Sequence, residues 1–333
     1  MIKPEDVFRR VIPQALSPPC SSQAYAPANI ALSKYWGKRD ITLNLPLNSS
    51  LSVSLGTWGT TTQIDPAEAD TLVFNGKDLP ANAPEAAKIW RFVDLFCGDA
   101  RPALAINTRN SIPTAAGLAS SASGFAALTR ALAQTFAVTQ PPEILSMLSR
   151  FGSGSATRSF WTGFARWDRG QRDDGTDSHG RALDVHYPEF QIAIVPVDTA
   201  QKSHSSRQGM THTVSTSPLY AVWPQQAETD CDAIETALLA KDFDTLGTLA
   251  EANALAMHAT MMAARPALMY LKASSWRILE TLRSARRDGL RAFATMDAGP
   301  NVKLLFLKSA TSDIKALFPA AHVIDPFGQQ APD

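Results

Sequence analysis

Cysteine is scarce in this sequence: Cys20, Cys97 and Cys231 are the three in 333 residues. An odd number of thiols set so far apart excludes a disulfide framework and fits a reducing, cytoplasmic setting. Net charge is missing too, since Lys plus Arg and Asp plus Glu both number 31. That balance favours neither nucleic acid nor an anionic membrane as a partner, so any basic residues that handle phosphate must be locally gathered. No uncharged apolar run reaches the roughly 20 residues of a membrane helix. The opening Met-Ile-Lys-Pro-Glu-Asp leads into no apolar run, and no signal peptide is expected. The six histidines show no metal-ligand spacing; His204 and His212 flank a serine-rich stretch without partner ligands. There is no internal repeat and no low-complexity linker. What remains is 45% hydrophobic and 19% charged, enough for one large domain or two.

The most informative stretch is Pro113-Thr-Ala-Ala-Gly-Leu-Ala-Ser-Ser-Ala122, which carries no charged side chain. Phe125, Leu128 and Leu132 follow at helical spacing, with Leu118 one heptad before Phe125. A loop of small residues entering a helix presents free N–H groups and the positive end of the helix dipole to a phosphate. Ser120 and Ser121 add hydroxyls for phosphate or magnesium. Close packing of a turn uses the same residues. A Walker loop is excluded, because no Gly-Lys-Ser/Thr follows.

Around this loop the sequence predicts strands over 29–35, from Ser50 with serines and apolar residues alternating as in a half-buried strand, over 60–64 and over 71–74, with Asn75-Gly76 as a turn. Helices are expected over 86–96 and from Pro141-Pro142 to about Arg150, and strands over 104–108 and 163–167. An apolar strand at 191–197 opens a second half. It continues through a loop that becomes a helix (199–218), helices near 226–240, 243–263 and 267–287, and strands over 293–296 and 302–306. Residues 1–22 read as an N-terminal extension and 326–333 as a frayed tail. The division is therefore 1–22, 23–190 and 191–333, two α+β layers with a cleft between them.

Four further segments carry polar chemistry. Lys34-Tyr-Trp-Gly-Lys38 sets two ammonium groups and a phenol about a glycine, either a solvated turn or a phosphate grip; an exposed Trp36 would favour the grip. Gly152-Ser-Gly-Ser-Ala-Thr-Arg158 offers unhindered N–H groups, hydroxyls and a guanidinium fork for a carboxylate or phosphate, or a flexible loop whose arginine caps a helix. Ser205-Ser-Arg-Gln-Gly-Met210 repeats that chemistry, or forms a polar surface loop. Asp297, before Ala-Gly-Pro-Asn301, is either a turn residue or a carboxylate held at a strand end.

The central loop resembles the Pro-x-x-x-Gly-Leu-x-Ser-Ser-Ala signature of the GHMP small-molecule kinases. From about Tyr25 to Phe306 the chain resembles one family within that group, the diphosphomevalonate decarboxylases. The motifs are Ala26-Pro-Ala-Asn-Ile-Ala with Lys34-Tyr-Trp-Gly-Lys-Arg-Asp40, Asn48-Ser-Ser-Leu-Ser, the central loop, Gly152-Ser-Gly-Ser-Ala-Thr-Arg-Ser159, Asp174-Gly-Thr-Asp-Ser178, Ser205-Ser-Arg-Gln-Gly-Met210, Thr216-Ser-Pro218 and Asp297-Ala-Gly-Pro-Asn301. Lys-Tyr-Trp-Gly-Lys and Gly-Ser-Gly-Ser with Arg-Ser are the specific ones; GHMP kinases in general share only the central loop.

The resemblance implies a two-domain α+β GHMP kinase fold. Its N-terminal half is like ribosomal protein S5 domain 2, and its C-terminal half is ferredoxin-like. It also implies a homodimer and an ATP- and magnesium-dependent conversion of (R)-5-diphosphomevalonate to isopentenyl diphosphate, ADP, phosphate and CO2 through phosphorylation at the C3 hydroxyl. Carried over residue by residue, Ala115, Ala116, Gly117, Leu118, Ala119, Ser120 and Ser121 hold the ATP phosphates, with Ser121 near magnesium. Tyr35, Trp36, Gly37, Lys38, Ser153, Gly154, Ser155, Ser206 and Arg207 hold the substrate, chiefly its diphosphate. Arg158 grips the C1 carboxylate, Asp297 orients or deprotonates the C3 hydroxyl, and Lys34 keeps Asp297 ionised.

Thr157 stands where the family usually has Cys, Ser33 where it has an apolar residue, and Met296 where it has an aromatic. The family's arginine after the Asn48-Ser-Ser region has no clear counterpart. The alternatives are a phosphomevalonate decarboxylase, a mevalonate 3-kinase-like relative, or an inactive binding protein on the same scaffold.

Overall fold

The computed structural model describes residues 2–98, 101–112, 120–198 and 205–328. The leading segment does not trail from the fold. It forms helix α1 (Pro4–Val11), with Val7 and Phe8 fully buried. Phe8 sits edge-on to Phe92 and Phe96 and 5.1 Å from the ring of Phe151.

Strand β1 (Ser22–Ser33) is followed by a small ribbon of β2 (Lys38–Asp40) and β3 (Leu45–Pro46), then by β4 (Ser50–Pro66). The two strands expected from Ser50 and over 60–64 are this single strand. It turns at Gly56, whose φ of 59° a glycine adopts without penalty from a Cβ. β1 pairs antiparallel along β4, from Ser22 opposite Ile64 to Ser33 opposite Leu51, with a bulge between Ala31 and Ser33. The serine face of β4 was expected to face solvent but is closed: Ser50, Ser52 and Ser54 are as buried as Leu51, Val53 and Leu55.

Strands β5 (Thr71–Phe74) and β6 (Lys77–Asp78) form the hairpin signalled by Asn75-Gly76, whose φ values are 50° and 76°. Helix α2 (Pro84–Cys97), β7 (Leu104–Asn110), helices α3 (Ser121–Thr135) and α4 (Pro142–Ser149), β8 (Phe164–Trp167) and β9 (Gly180–Ala182) complete the first half. Among the described residues its sheet has seven strands, ordered β6-β5-β7-β4-β8-β9 with β1 on the other side of β4. One edge of β4 serves two partners, β8 along Ser50–Val53 and β7 along Thr60–Pro66. The alanines of α3 (Ala122, Ala126, Ala127, Ala131) bring its backbone close to the sheet, where Ser123 hydrogen-bonds Thr60 at 2.7 Å.

The second half opens with β10 (Phe190–Val195) and runs through α5 (Ser206–Thr216), α6 (Trp223–Leu239), α7 (Phe243–Met262) and α8 (Ala273–Arg287). Strands β11 (Ala292–Met296) and β12 (Val302–Leu307), the short α9 (Thr311–Leu317) and β13 (His322–Ile324) close it. Helix α8 starts at Ala273, not near 267. The sheet order is β11-β12-β10-β13, all antiparallel. Phe327, placed in the frayed tail by sequence, packs 5.5 Å from the ring of Phe164.

Apolar residues explain how these layers stack. One face of the first sheet packs under α1, α2, α3 and α4 through Ile64, Ile106, Phe92 and Leu132. Its other face, with Ile30, Leu51 and Phe164, meets Phe190 and Ile192 of the second sheet and Ile234 and Leu246 of α6 and α7 in one continuous cluster. The far side of the second sheet is covered by α8 and α9 through Leu279, Leu282 and Ile314. The halves thus share a core, and strand ends from both meet at one cleft.

Candidate active site

Two strand ends create the centre of that cleft. β1 ends at Ser33 and delivers Lys34; β11 ends at Met296 and delivers Asp297. The Lys34 ammonium is 2% exposed and donates to Asp297 Oδ1 at 2.8 Å and to the carbonyl of Ala31 at 2.8 Å. A second ammonium, that of Lys303 on β12, lies 2.9 Å from Asp297 Oδ2 and is 4% exposed. The carboxylate itself is 39% exposed and lines the cleft. Burial alone would raise its pKa, but Lys303 and Lys34 outweigh burial and hold it far below the usual carboxylate range. Burial lowers Lys34 from 10.5 to about 8, with Asp297 opposing the fall. His258 of α7 donates from Nε2 to the Asp297 carbonyl at 3.2 Å; burial, aided by Lys34, lowers its pKa to about 4.

Arg158 approaches from the opposite wall. It ends the short 3-10 turn Gly154–Arg158, is 3% exposed, and donates to Ser50 Oγ at 2.5 Å and to Asn29 Oδ1 at 3.5 Å. Of the buried serines of β4, Ser50 takes this guanidinium, while Ser54 Oγ accepts the Gly56 N–H. Arg158 Nε has no partner among the described residues. Burial lowers its pKa to about 10, and nearby Asp297 counters that. The group stays cationic at neutral pH and lines the cleft.

The other end of the cleft gathers phosphate chemistry. Tyr35, Lys38, Ser153, Gly154 and Ser155 line it, as do Ser206 and Arg207 at the start of α5. Helix α5 opens on a capping box in which Ser205 Oγ accepts from the Gln208 N–H. The buried Tyr35 hydroxyl has no partner among the described residues, and burial raises its pKa. Gly154 is required at its place, since a Cβ would lie 2.9 Å from both Trp167 and Tyr35. Lys38 is lowered by burial and by Arg207 to about 8.

One candidate lies elsewhere, and one differs from expectation. Trp36 lines the cleft but is not exposed: at 2% it packs with Met210, Tyr220 and Trp223, and its carbonyl accepts from Tyr220 and Trp223. Gly37 is not among the residues lining the cleft. Its φ of 121° and the Tyr220 hydroxyl 1.5 Å from a would-be Cβ give it a steric role.

The charge pattern of the cleft decides its ligand class. Its volume is about 780 Å³, and its charged lining residues are Lys34, Lys38, Lys88, Arg158, Arg207 and Lys303 against one carboxylate, Asp297. In a chain of zero net charge, that concentration selects a polyanion.

A second cavity of about 530 Å³ adjoins the first and shares Lys88 and Ser121 with it. Phe74, Leu79, Ile89, Ile106, Phe125 and Leu128 make it mostly apolar. A flat base in the apolar cavity with its polyphosphate in the cationic cleft would pass the first turn of α3, so the residues present fit ATP. The loop residues Ala115, Ala116, Gly117, Leu118 and Ala119 lie outside the described residues. Ser120 is the N-cap of α3, and Ser121 Oγ is 3.4 Å from Ser153 Oγ. No group of three or more His, Cys, Asp or Glu converges among the described residues. Ser121, which lines both cavities, places a hydroxyl at their junction.

Sequence reasoning missed Lys303, Lys88 and Asn253. Lys303 lies two residues beyond the Asp297–Asn301 motif and is brought back by the β11–β12 register, in which it faces Thr295. Lys88 sits on α2 with its ammonium 4.7 Å over the Phe125 ring, lowered by burial to about 8. Asn253 of α7 is fully buried and accepts the Lys34 N–H. Only Lys88 left a trace in the sequence, as a cation among the apolar positions of α2.

Residues 26–180 match the family model of the diphosphomevalonate decarboxylase-like N-terminal domain, and residues 192–330 that of the mevalonate 5-diphosphate decarboxylase C-terminal domain. A relative from Aspergillus fumigatus, diphosphomevalonate decarboxylase mvd1, is 39% identical over 85% of this chain and 76% of its own length. A structure of the Enterococcus faecalis mevalonate diphosphate decarboxylase, described in terms of its mevalonate-diphosphate-mediated ATP binding, has a TM-score of 0.84 and 35% identity over 91% of this chain and 96% of its own. Another, described as "MDDEF in complex with MVAPP, AMPPCP and Magnesium", has a TM-score of 0.85 and 35% identity over the same shares, 91% and 96%.

Proposed function

The chain belongs to the diphosphomevalonate decarboxylase family, and from that premise we propose how its own residues carry out the family's reaction. It is an ATP-dependent decarboxylase of mevalonate diphosphate in the mevalonate pathway, on the two-part α+β fold of the GHMP kinases. The observation that carries the residue assignment is the Asp297 carboxylate held between ammonium groups in a cleft otherwise lined by cations.

A tertiary hydroxide is a poor leaving group, and ATP with magnesium supplies the phosphoryl group that converts the C3 oxygen into a good one. Lys38, Arg207, Tyr35, Ser153, Ser155 and Ser206 bind the 5-diphosphate, far from the reacting carbon. Binding energy there fixes C3 without opposing the chemistry. Arg158 takes the C1 carboxylate on its unpartnered Nε side. Asp297 accepts the C3 hydroxyl hydrogen bond and aims the oxygen. So acidic a carboxylate is a weak base, so it takes the proton only as the new P–O bond forms. When the C3–O bond then breaks, its electron pair leaves with phosphate. The C1–C2 pair becomes the C2=C3 double bond, CO2 departs, and isopentenyl diphosphate remains. Lys34, whose ammonium sits 2.8 Å from Asp297, neutralises charge on the departing phosphate.

Ser120, Ser121 and the 115–119 loop bind the ATP phosphates in this reading, with Ser121 reaching magnesium and Lys88 spanning the two cavities. The chain divides at 190/191, after an extension over residues 1–22. It works in the cytoplasm, a setting that its three free cysteines fit, and as the homodimer that the family resemblance implies. Among the described residues no helix is long and apolar enough to cross a membrane.

CO2 release from mevalonate, its 5-phosphate and its 5-diphosphate, each with MgATP, tests the assignment. Release from the 5-diphosphate alone is expected, because Lys38, Ser206 and Arg207 exceed what a monophosphate needs. Preference for the monophosphate or for free mevalonate would overturn it.

A further inference from the structure

Lys303 lies on β12, between β11 and β10, and its register partners are Thr295 and Ile194. Every residue of β12 from Val302 to Phe306 is buried. An ammonium placed inside a sheet in this way is costly unless an anion meets it. Among the described residues its one ion-pair partner is Asp297, at Oδ2, with the Asn301 carbonyl at 3.4 Å as a further acceptor. Lys34 already occupies Oδ1. One lysine would neutralise the carboxylate but leave it free to rotate and its second oxygen uncommitted. Two lysines, one from each sheet, fix the plane of the group.

We propose that Lys303 is a positioning residue for the decarboxylation: its ammonium holds the second oxygen of Asp297, so that the carboxylate meets the substrate ionised and in one orientation. The inference rests on the role given to Asp297 above. The charged or titratable groups facing Asp297 are Lys34 at the end of β1, Lys303 on β12, His258 on α7 through the backbone carbonyl, and Arg158 from the opposite wall. Lys303 is the one whose removal leaves the Lys34 pair intact, so its effect is separable.

Lys303→Met, and Lys303→Gln should the first variant melt too low to assay, are compared with Lys303→Arg and the wild type. In the uncharged variants kcat should fall roughly 10- to 100-fold, as for a displaced catalytic group, with KM for ATP unchanged. The Asp297 pKa should rise, so the acid limb of the kcat profile should move to higher pH by about a unit or more. Lys303→Arg should restore both. Unchanged kcat and acid limb would overturn the proposal; so would a loss that leaves the acid limb in place and that arginine does not repair. A 13C NMR titration of the Asp297 carboxyl decides the coupling without turnover: it should titrate at higher pH in Lys303→Met than in wild type. Absence of CO2 release by the wild type would sink the functional reading, whereas an unshifted carboxyl titration would sink this one.

Discussion

The side-chain oxygen of Asn253 accepts the backbone N–H of Lys34 at 2.8 Å. The Asn253 amide nitrogen in turn donates to Asp230 Oδ2 at 2.8 Å, and Gln226 holds the other oxygen of that carboxylate at 2.7 Å. Two helices of the second half thus set the height of a lysine from the first.

Asn253→Ala leaves the buried Lys34 N–H unsatisfied, at a cost of about 1–3 kcal/mol in stability. Turnover should fall beyond what the unfolded fraction explains, with KM for ATP unchanged, because Lys34 loses its fixed origin. Thermal melts beside kcat measure both. Wild-type kcat per folded molecule would disconnect Asn253 from the chemistry.

Asp297→Asn removes the acceptor charge while keeping the shape. Turnover should drop by about two to four orders of magnitude, and calorimetry should show mevalonate diphosphate binding little changed. The substitution strands two ammonium groups. Since Asp297 is 39% exposed, the stability loss should stay below the ~3–5 kcal/mol of a fully buried pair. The loss should also shrink as pH rises toward 8, because without Asp297 Lys34 gives up its proton at lower pH in the folded variant than in the wild type, where it is lowered to about 8. A turn or cap role instead predicts a lowered melt with retained turnover.

Arg158→Lys keeps charge but loses the fork that reaches both Ser50 and Asn29. Turnover should fall strongly despite the conserved charge. Near-normal CO2 release would remove Arg158 from carboxylate recognition.

Lys34 and Lys38 are both lowered from 10.5 to about 8, chiefly by burial. Each is protonated below that value and neutral above it, so kcat/KM for mevalonate diphosphate should decline above about pH 8 with a slope steeper than one proton. Bound phosphates raise both values, which moves the basic limb of kcat upward. A kcat/KM that stays level to pH 9.5 would contradict the assignment.

Phe8→Ala should cost about 3–5 kcal/mol, because the ring fills a space between α2 and Phe151. A melt unchanged from wild type would show that α1 is dispensable.

Local signals in the sequence located most elements, because periodicity and turn chemistry act within a few residues: the Asn75-Gly76 hairpin and α3 lie where the pattern puts them. Partnerships across the chain were less legible. Lys303 looks like one polar residue in an apolar strand until β12 is laid beside β11. Ser50 reads as part of a solvated face because nothing near it in sequence announces Arg158. Trp36 read as exposed because the residues that cover it, Met210, Tyr220 and Trp223, lie in the other half. Residues 1–22 hide a short helix whose value lies in two apolar side chains, too few for a periodic signal.

Lys34 and Asp297 are 263 positions apart in the chain, and the strand that carries Lys303 comes later still. During synthesis the seven-stranded half, with its nucleotide cavity, emerges from the ribosome well before the carboxylate exists. A nascent chain at that stage has somewhere to put a nucleotide but no group to aim an acceptor oxygen at it. Pairing of β11 and β12 is thus the assembly step that brings the substrate-orienting carboxylate to Lys34.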